Sequence, residues 1–150
     1  MRRQTRGYMQ GFETAASAAA LWRALTEPAT LCAWLAIEAN IEPRVGGRYA
    51  TLSRLFGRRE AQIERFDAGA RLQLLYEPNA DWPELPGSAL VEDFIIDERK
   101  GQRMLRVMGS GIPAEEEHAK MLVRLRTGWA LAFAQLQFRI KDGTVGESAP

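Results

Sequence analysis

Apolar side chains return in steps of three and four along the last third of the chain: Leu122, Leu125, Trp129, Phe133, Leu136 and Ile140. That spacing puts them on one face of a helix. Extended backwards by one turn, the same face reaches His118, the chain's one histidine. Pro113 marks the expected helix start. Glu115, Glu116 and Glu117 follow it in the first turn, where acids complement the positive end of the helix dipole. Lys141-Asp142-Gly143 marks the stop. About 25 residues then span roughly 38 Å at 1.5 Å per residue.

Upstream the period changes. Residues 7–14 alternate as a strand does, with Tyr8 and Phe12 as the large members. Ser17 is the expected N-cap of a helix over residues 18–25, carrying Leu21, Trp22 and Leu25. Pro28 separates it from a second short helix over residues 29–35, carrying Leu31 and Trp34. Strand patterns then fill residues 37–42, 48–53, 59–66, 71–76, 89–97 and 103–110. Gly46-Gly47 supplies the positive φ of a tight hairpin turn. Residues 77–88 break the rhythm. They form a long loop with Pro78, Pro83 and Pro86 around Trp82, a rim or lid element in a small domain. Trp82 is expected either to meet a ligand or partner or to cover an edge of the core.

Composition narrows the function classes. At 150 residues one domain with its own core is expected, its body over about 7–140 and a flexible tail over 141–150. Twenty Lys and Arg against 19 Asp and Glu give net +1, so no global field favours nucleic acid or an anionic membrane. The start Met1-Arg2-Arg3 is basic, but Gln10 and Glu13 interrupt the next segment, unlike a signal peptide. No uncharged run approaches the roughly 20 residues that span a bilayer. With the single cysteine, Cys32, these features predict a cytoplasmic protein. Cys32 itself is expected to be a buried, inert thiol.

Several segments taken together resemble a known family. They are residues 21–28 (Leu-Trp-Arg-Ala-Leu-Thr-Glu-Pro), Trp34, Val45-Gly46-Gly47-Arg48-Tyr49, Ser110-Gly111-Ile112-Pro113 and Gly128-Trp129. In this order they resemble the bacterial proteins similar to the C-terminal domain of the activator of heat-shock-protein-90 ATPase. That group belongs to the START-like, birch-pollen-allergen-like (SRPBCC) superfamily, and the resemblance runs from about Tyr8 to Ile140. It implies an α+β helix-grip fold: a curved antiparallel sheet around the long C-terminal helix, with two short helices after the first strand. It also implies a cavity between sheet and helix, lined by Trp34, Tyr49, Glu92, Phe94, Leu105, Val107, His118, Leu122, Leu125, Trp129 and Phe133. Gly109 stands where members often carry a polar residue, which removes one side chain from that wall.

The polar members carry the candidate chemistry. Strand alternation puts Glu92 on one face with Leu90, Phe94 and Ile96, and Asp93 on the other with Val91 and Ile95. The resemblance implies that the Glu92 face is the inner one. An inward carboxylate needs a partner or keeps its proton, and Arg54, Arg65 and Arg106 are the candidate partners. His118 is either a polar handle at the cavity mouth or a partly solvated histidine beside Glu115 and Glu117. No cofactor is expected. Residues 45–48 lack a phosphate-loop spacing and its lysine, and one His with one Cys cannot make the usual zinc site, leaving only carboxylate-rich metal binding open. The basic pairs Arg58-Arg59 and Arg2-Arg3 are expected to be solvated rather than to read nucleic acid.

Three functions follow, in order: a non-catalytic domain binding a small hydrophobic or amphipathic molecule; a chaperone-linked interaction module; and a cyclase- or hydrolase-type enzyme using Glu92 and His118. Because a curled sheet has edges to protect, a homodimer is also compatible with the pattern.

Overall fold

The structure is a computed structural model describing residues 4–146. Seven strands are joined edge to edge: β1 (Thr5–Thr14), β2 (Ala36–Ile41), β3 (Arg48–Ser53), β4 (Gly57–Asp67), β5 (Arg71–Glu77), β6 (Val91–Arg99) and β7 (Gln102–Pro113). Their order is β1-β7-β6-β5-β4-β3-β2, and every neighbouring pair is antiparallel. Helices α1 (Ala18–Thr26) and α2 (Pro28–Leu31) lie between β1 and β2, and α3 (Ala119–Lys141) ends the fold. This is the α+β helix-grip arrangement that the resemblance implies.

Local chemistry explains the short helices. Ser17 Oγ accepts from the Ala20 amide at 3.0 Å, capping α1 as expected. Two late carbonyls of α1 accept from core aromatics. Trp34 Nε1 donates to Ala24 at 2.9 Å, and the Tyr49 hydroxyl donates to Leu25 at 2.6 Å. These bonds satisfy carbonyls that the end of a helix leaves without intrahelical donors. The second helix is shorter than expected, closing after Leu31 rather than at residue 35.

The start of the last helix also differs from expectation. Pro113 is the final residue of β7, not the first of the helix. It pairs with Thr5, so β1 and β7 continue beyond the expected strand end at Ser110. A proline at the end of a strand removes no interior ladder bond, which makes it tolerable there. Residues Glu116–His118 then form a 3-10 turn, and α3 begins at Ala119.

From that point the apolar stripe behaves as its period predicts. Leu122, Leu125, Trp129, Phe133 and Leu136 are buried against the sheet, and Gly128 lets the helix approach the Phe56 ring. Aromatic rings close the interface: Phe94 and Phe56 lie 5.2 and 4.9 Å from Trp129, and Phe12 lies 5.3 Å from Phe133. The chain after α3 is docked as far as it is described. Val145 is buried, and Arg23 donates to the Gly146 carbonyl at 2.9 Å. The expected loose tail is therefore packed up to Gly146. The rest of it, and the Arg2-Arg3 pair, lie outside the described residues.

No helix among the described residues is long and apolar enough to cross a membrane. Cys32 is exposed, which corrects the expected buried thiol. It forms the C-cap of the short α2, whose inward face is taken by Leu31.

Candidate functional site

Alternation along β6 does point Glu92 inward. Glu92 is fully buried with Phe94 and Ile96, while Val91, Asp93 and Ile95 are partly exposed. On the outer face Asp93 pairs with Arg71 at 3.0 Å. Glu92 is instead the centre of a buried polar network. Its Oε1 accepts from Arg59 Nη1 at 3.1 Å and from the Tyr76 hydroxyl at 2.8 Å. Its Oε2 accepts from Trp129 Nε1 at 2.6 Å and from the Tyr8 hydroxyl. A carboxylate offers about four acceptor positions. All four are taken.

Four different elements supply those donors, and the strand register explains how they meet. Tyr8 on β1 lies opposite Gly109 on β7, and Gly109 lies opposite Glu92 on β6. With no side chain on the middle strand, the Tyr8 phenol crosses it to reach the carboxylate. A Cβ on Gly109 would collide with the Tyr8 ring. The absent side chain thus gives its space to a tyrosine. Gly109→Ala is expected to lose about 1–3 kcal/mol of stability, as overpacking does. Urea unfolding checks this, and an unchanged midpoint would show that the phenol does not occupy that space.

Arg59 is the partner that sequence reasoning missed. Of the expected partners, Arg65 pairs with Asp67 and Arg106 with Asp97. The basic pair on β4 divides by alternation: Arg58 is exposed, whereas Arg59 is buried with Ala61 and Ile63. The signal was therefore present as the period-two set Arg59, Ala61, Ile63. Burial alone would lower the Arg59 pKa, but the Glu92 charge and hydrogen bond together with Tyr76 and Tyr8 outweigh it and hold the guanidinium charged. Its Cζ also lies 3.8 Å from the centre of the Tyr76 ring, a cation–π distance.

The same network acts on the phenols. Burial, followed by the Glu92 charge, pushes the Tyr8 and Tyr49 hydroxyls above their usual value near 10. Burial does the same to Tyr76, with Arg59 opposing and Glu92 reinforcing it. The Tyr76 ring is partly exposed, but its hydroxyl is turned inward to Glu92.

Above this network lies a pocket of about 130 Å³. Arg59 and Tyr76 form its sheet side, Met121 comes from α3, and Trp82, Leu85 and Leu90 come from the long β5–β6 loop. That loop is tied down at several points. Asp81 accepts from the Arg58 amide at 2.8 Å, and Trp82 Nε1 donates to the Phe56 carbonyl at 2.7 Å. Ser88 Oγ donates to the Gly111 carbonyl at 2.7 Å. Arg124 of α3 stacks 4.1 Å from the Trp82 ring centre. Trp82 is buried, so it covers the core edge and walls the pocket at once.

None of the residues expected to line a sheet–helix cavity borders this pocket. Trp34 and Tyr49 hold α1, and Glu92 lies beneath Arg59. Phe94, Leu105, Val107, Leu122, Leu125, Trp129 and Phe133 pack in the core. His118 precedes α3 instead of joining its buried face. It is largely buried, and its Nε2 lies 3.9 Å from Glu117. No hydrogen bond links it to Glu92, whose oxygens are fully engaged, so the two do not form an acid–base pair. Among the described residues no cluster of His, Cys, Asp and Glu could hold a metal ion.

Comparison with known proteins gives the fold a family. The model for the activator of Hsp90 ATPase homolog 1-like proteins matches residues 15–140. No curated protein matches the sequence. Solved structures with the same fold include MLL2253 from Mesorhizobium loti, at 18% identity and a TM-score of 0.75, covering 91% of this chain and 98% of that one. CalU16 from Micromonospora echinospora gives 21% identity and a TM-score of 0.72, covering 93% and 82%. The Aha1 dimer from Colwellia psychrerythraea gives 16% and 0.71, covering 89% and 95%. With the family match spanning most of the chain and the helix-grip fold in place, the chain belongs to the activator of Hsp90 ATPase homolog 1-like family.

Proposed function

We propose that this chain is a non-catalytic binding domain for a small hydrophobic or amphipathic molecule, taken in the pocket beneath the β5–β6 loop. The observation that carries this reading is the pocket's make-up. Apolar walls from Trp82, Leu85, Leu90 and Met121 surround one buried cation, Arg59. Ligand sites commonly combine apolar walls with a few placed polar groups. Between sheet and helix, by contrast, Trp129 and Phe133 pack against the Phe56, Phe94 and Phe12 rings. At about 130 Å³ the pocket is near the roughly 150 Å³ of a cavity that accepts benzene, and below the 300–1,000 Å³ of drug-sized sites.

Toluene is therefore a fitting first probe. A ligand that binds only the native state raises stability by RT ln(1 + [L]/Kd), about 2.7 kcal/mol at 100 Kd. Thermal unfolding across a toluene series is expected to show a rising midpoint in the wild type. Met121→Trp, which fills the pocket from α3, should abolish the rise. A midpoint that never rises, or that rises equally in both proteins, contradicts this reading.

The family description supports a second reading, a chaperone-linked interaction module, and the likeness to a protein solved as an Aha1 dimer adds self-association to it. Met9 and Met108, opposite each other on β1 and β7, are exposed and would suit a protein contact. Under this reading the purified chain speeds the ATPase of an Hsp90-type chaperone. An unchanged rate at saturating chain contradicts it.

A further inference from the structure

Arg59 is 3% exposed, yet only one of its two terminal nitrogens has an acceptor. Nη1 donates to Glu92, whereas Nη2 is buried with no hydrogen-bond partner among the described residues. A buried charged donor left unmet costs free energy that an added acceptor recovers. Aromatic rings crowd the rest of the guanidinium. Tyr76, Phe56 and Trp82 lie 3.8, 5.1 and 5.4 Å from Cζ. Arg59 borders the pocket, so a small shift of the rings that cover Nη2 would bring this unmet donor to an acceptor held there.

The surrounding charges select the acceptor's type. Glu92 already balances the guanidinium at 3.1 Å. The other charged residues lining the pocket, Glu77 and Glu84, are both acids. An anion brought to Nη2 would sit beside Glu92 in a pocket that Glu77 and Glu84 also line, with Arg124 stacked on Trp82 as the nearby counter-charge. A neutral carbonyl oxygen accepts the same N–H without that repulsion. Resting on the ligand-binding reading, we propose that the pocket takes a compact neutral molecule: an apolar ring bearing one carbonyl-type acceptor that pairs with Arg59 Nη2. Ketones, esters and amides of that size form the ligand class.

Three probes of nearly one shape separate the possibilities on the wild-type protein. Acetophenone carries the carbonyl, α-methylstyrene replaces its oxygen by a methylene, and benzoate carries a charge. Binding is followed at the Trp82 indole N–H resonance. Acetophenone is expected to bind about tenfold or more tightly than either of the others, the scale of one hydrogen bond to a charged donor. Its bound carbonyl stretch should move to lower frequency. Equal affinities for acetophenone and α-methylstyrene, or a preference for benzoate, overturn the neutral-acceptor class and leave the pocket as a ligand site. Absence of saturable binding by all three overturns the ligand reading itself. Met121→Trp lies outside the Glu92 network and should lose all three probes. Undiminished binding there would put the probes elsewhere and overturn both.

Discussion

Glu92→Gln is expected to destabilise the fold by about 3–5 kcal/mol, the usual cost of breaking a buried ion pair from one side. The substitution keeps the shape but replaces an acceptor oxygen with a donor nitrogen. Whichever way the amide turns, that nitrogen faces two of the four donors that now converge on the carboxylate. Tyr8 and Tyr76 can rotate their hydroxyl hydrogens away. The N–H groups of Arg59 and Trp129 cannot. Arg59 would also remain charged, with its counter-ion gone and almost no exposure to water. Against a typical total of about 5–15 kcal/mol, such a loss is severe.

The double variant Glu92→Leu/Arg59→Leu should recover part of what Glu92→Leu alone loses, because no unpaired charge is left inside. Recovery will be incomplete, since Trp129 and the two phenols still lack their acceptor. Urea unfolding of the two single variants and the double gives the coupling directly. If Glu92→Gln costs under about 1 kcal/mol, the carboxylate is not holding this interior together.

Alkaline pH should produce the other large effect. The chain's three tyrosines, Tyr8, Tyr49 and Tyr76, all have pKa values raised above 10 in the folded state. A phenol is neutral when protonated, so the native state holds these protons more tightly than the unfolded state. Below about pH 10 both states are protonated, and the full stability is present. As pH rises further, the unfolded chain releases its protons first and is stabilised. Each tyrosine then removes about 1.4 kcal/mol per pH unit, roughly 4 kcal/mol for three together, until the folded pKa values are reached. Phenolate absorbance and far-UV circular dichroism, followed together, check this. Phenolate should appear only as the fold is lost. Tyrosines ionising near pH 10 in an intact fold would contradict the buried network.

Much of the architecture is legible in single residues. Ser17 announces α1, the period-two run of β6 separates Glu92 from Asp93, and the stripe from Leu122 to Leu136 faces the sheet. These are local properties, set by backbone geometry and one-sided burial. The site is less legible because it depends on register between strands distant in sequence. Nothing local to Tyr8 says that it reaches Glu92 across Gly109. Arg59 was hidden for a different reason: beside Arg58 it reads as a solvated basic pair, although alternation with Ala61 and Ile63 turns it inside. Pro113 misleads because proline suits both a helix start and a strand end. The choice was made by Thr5 pairing with it from the far end of the chain.

The proposed ligand space lies at the mouth of the grip, where the β5–β6 loop meets the start of α3. The four indole N–H resonances, from Trp22, Trp34, Trp82 and Trp129, report on both places at once. During a toluene titration, the Trp82 resonance is expected to move saturably while those of Trp22 and Trp34 hold still. Movement of Trp34 with Trp82 unaffected would put the ligand between sheet and helix and contradict binding beneath the β5–β6 loop.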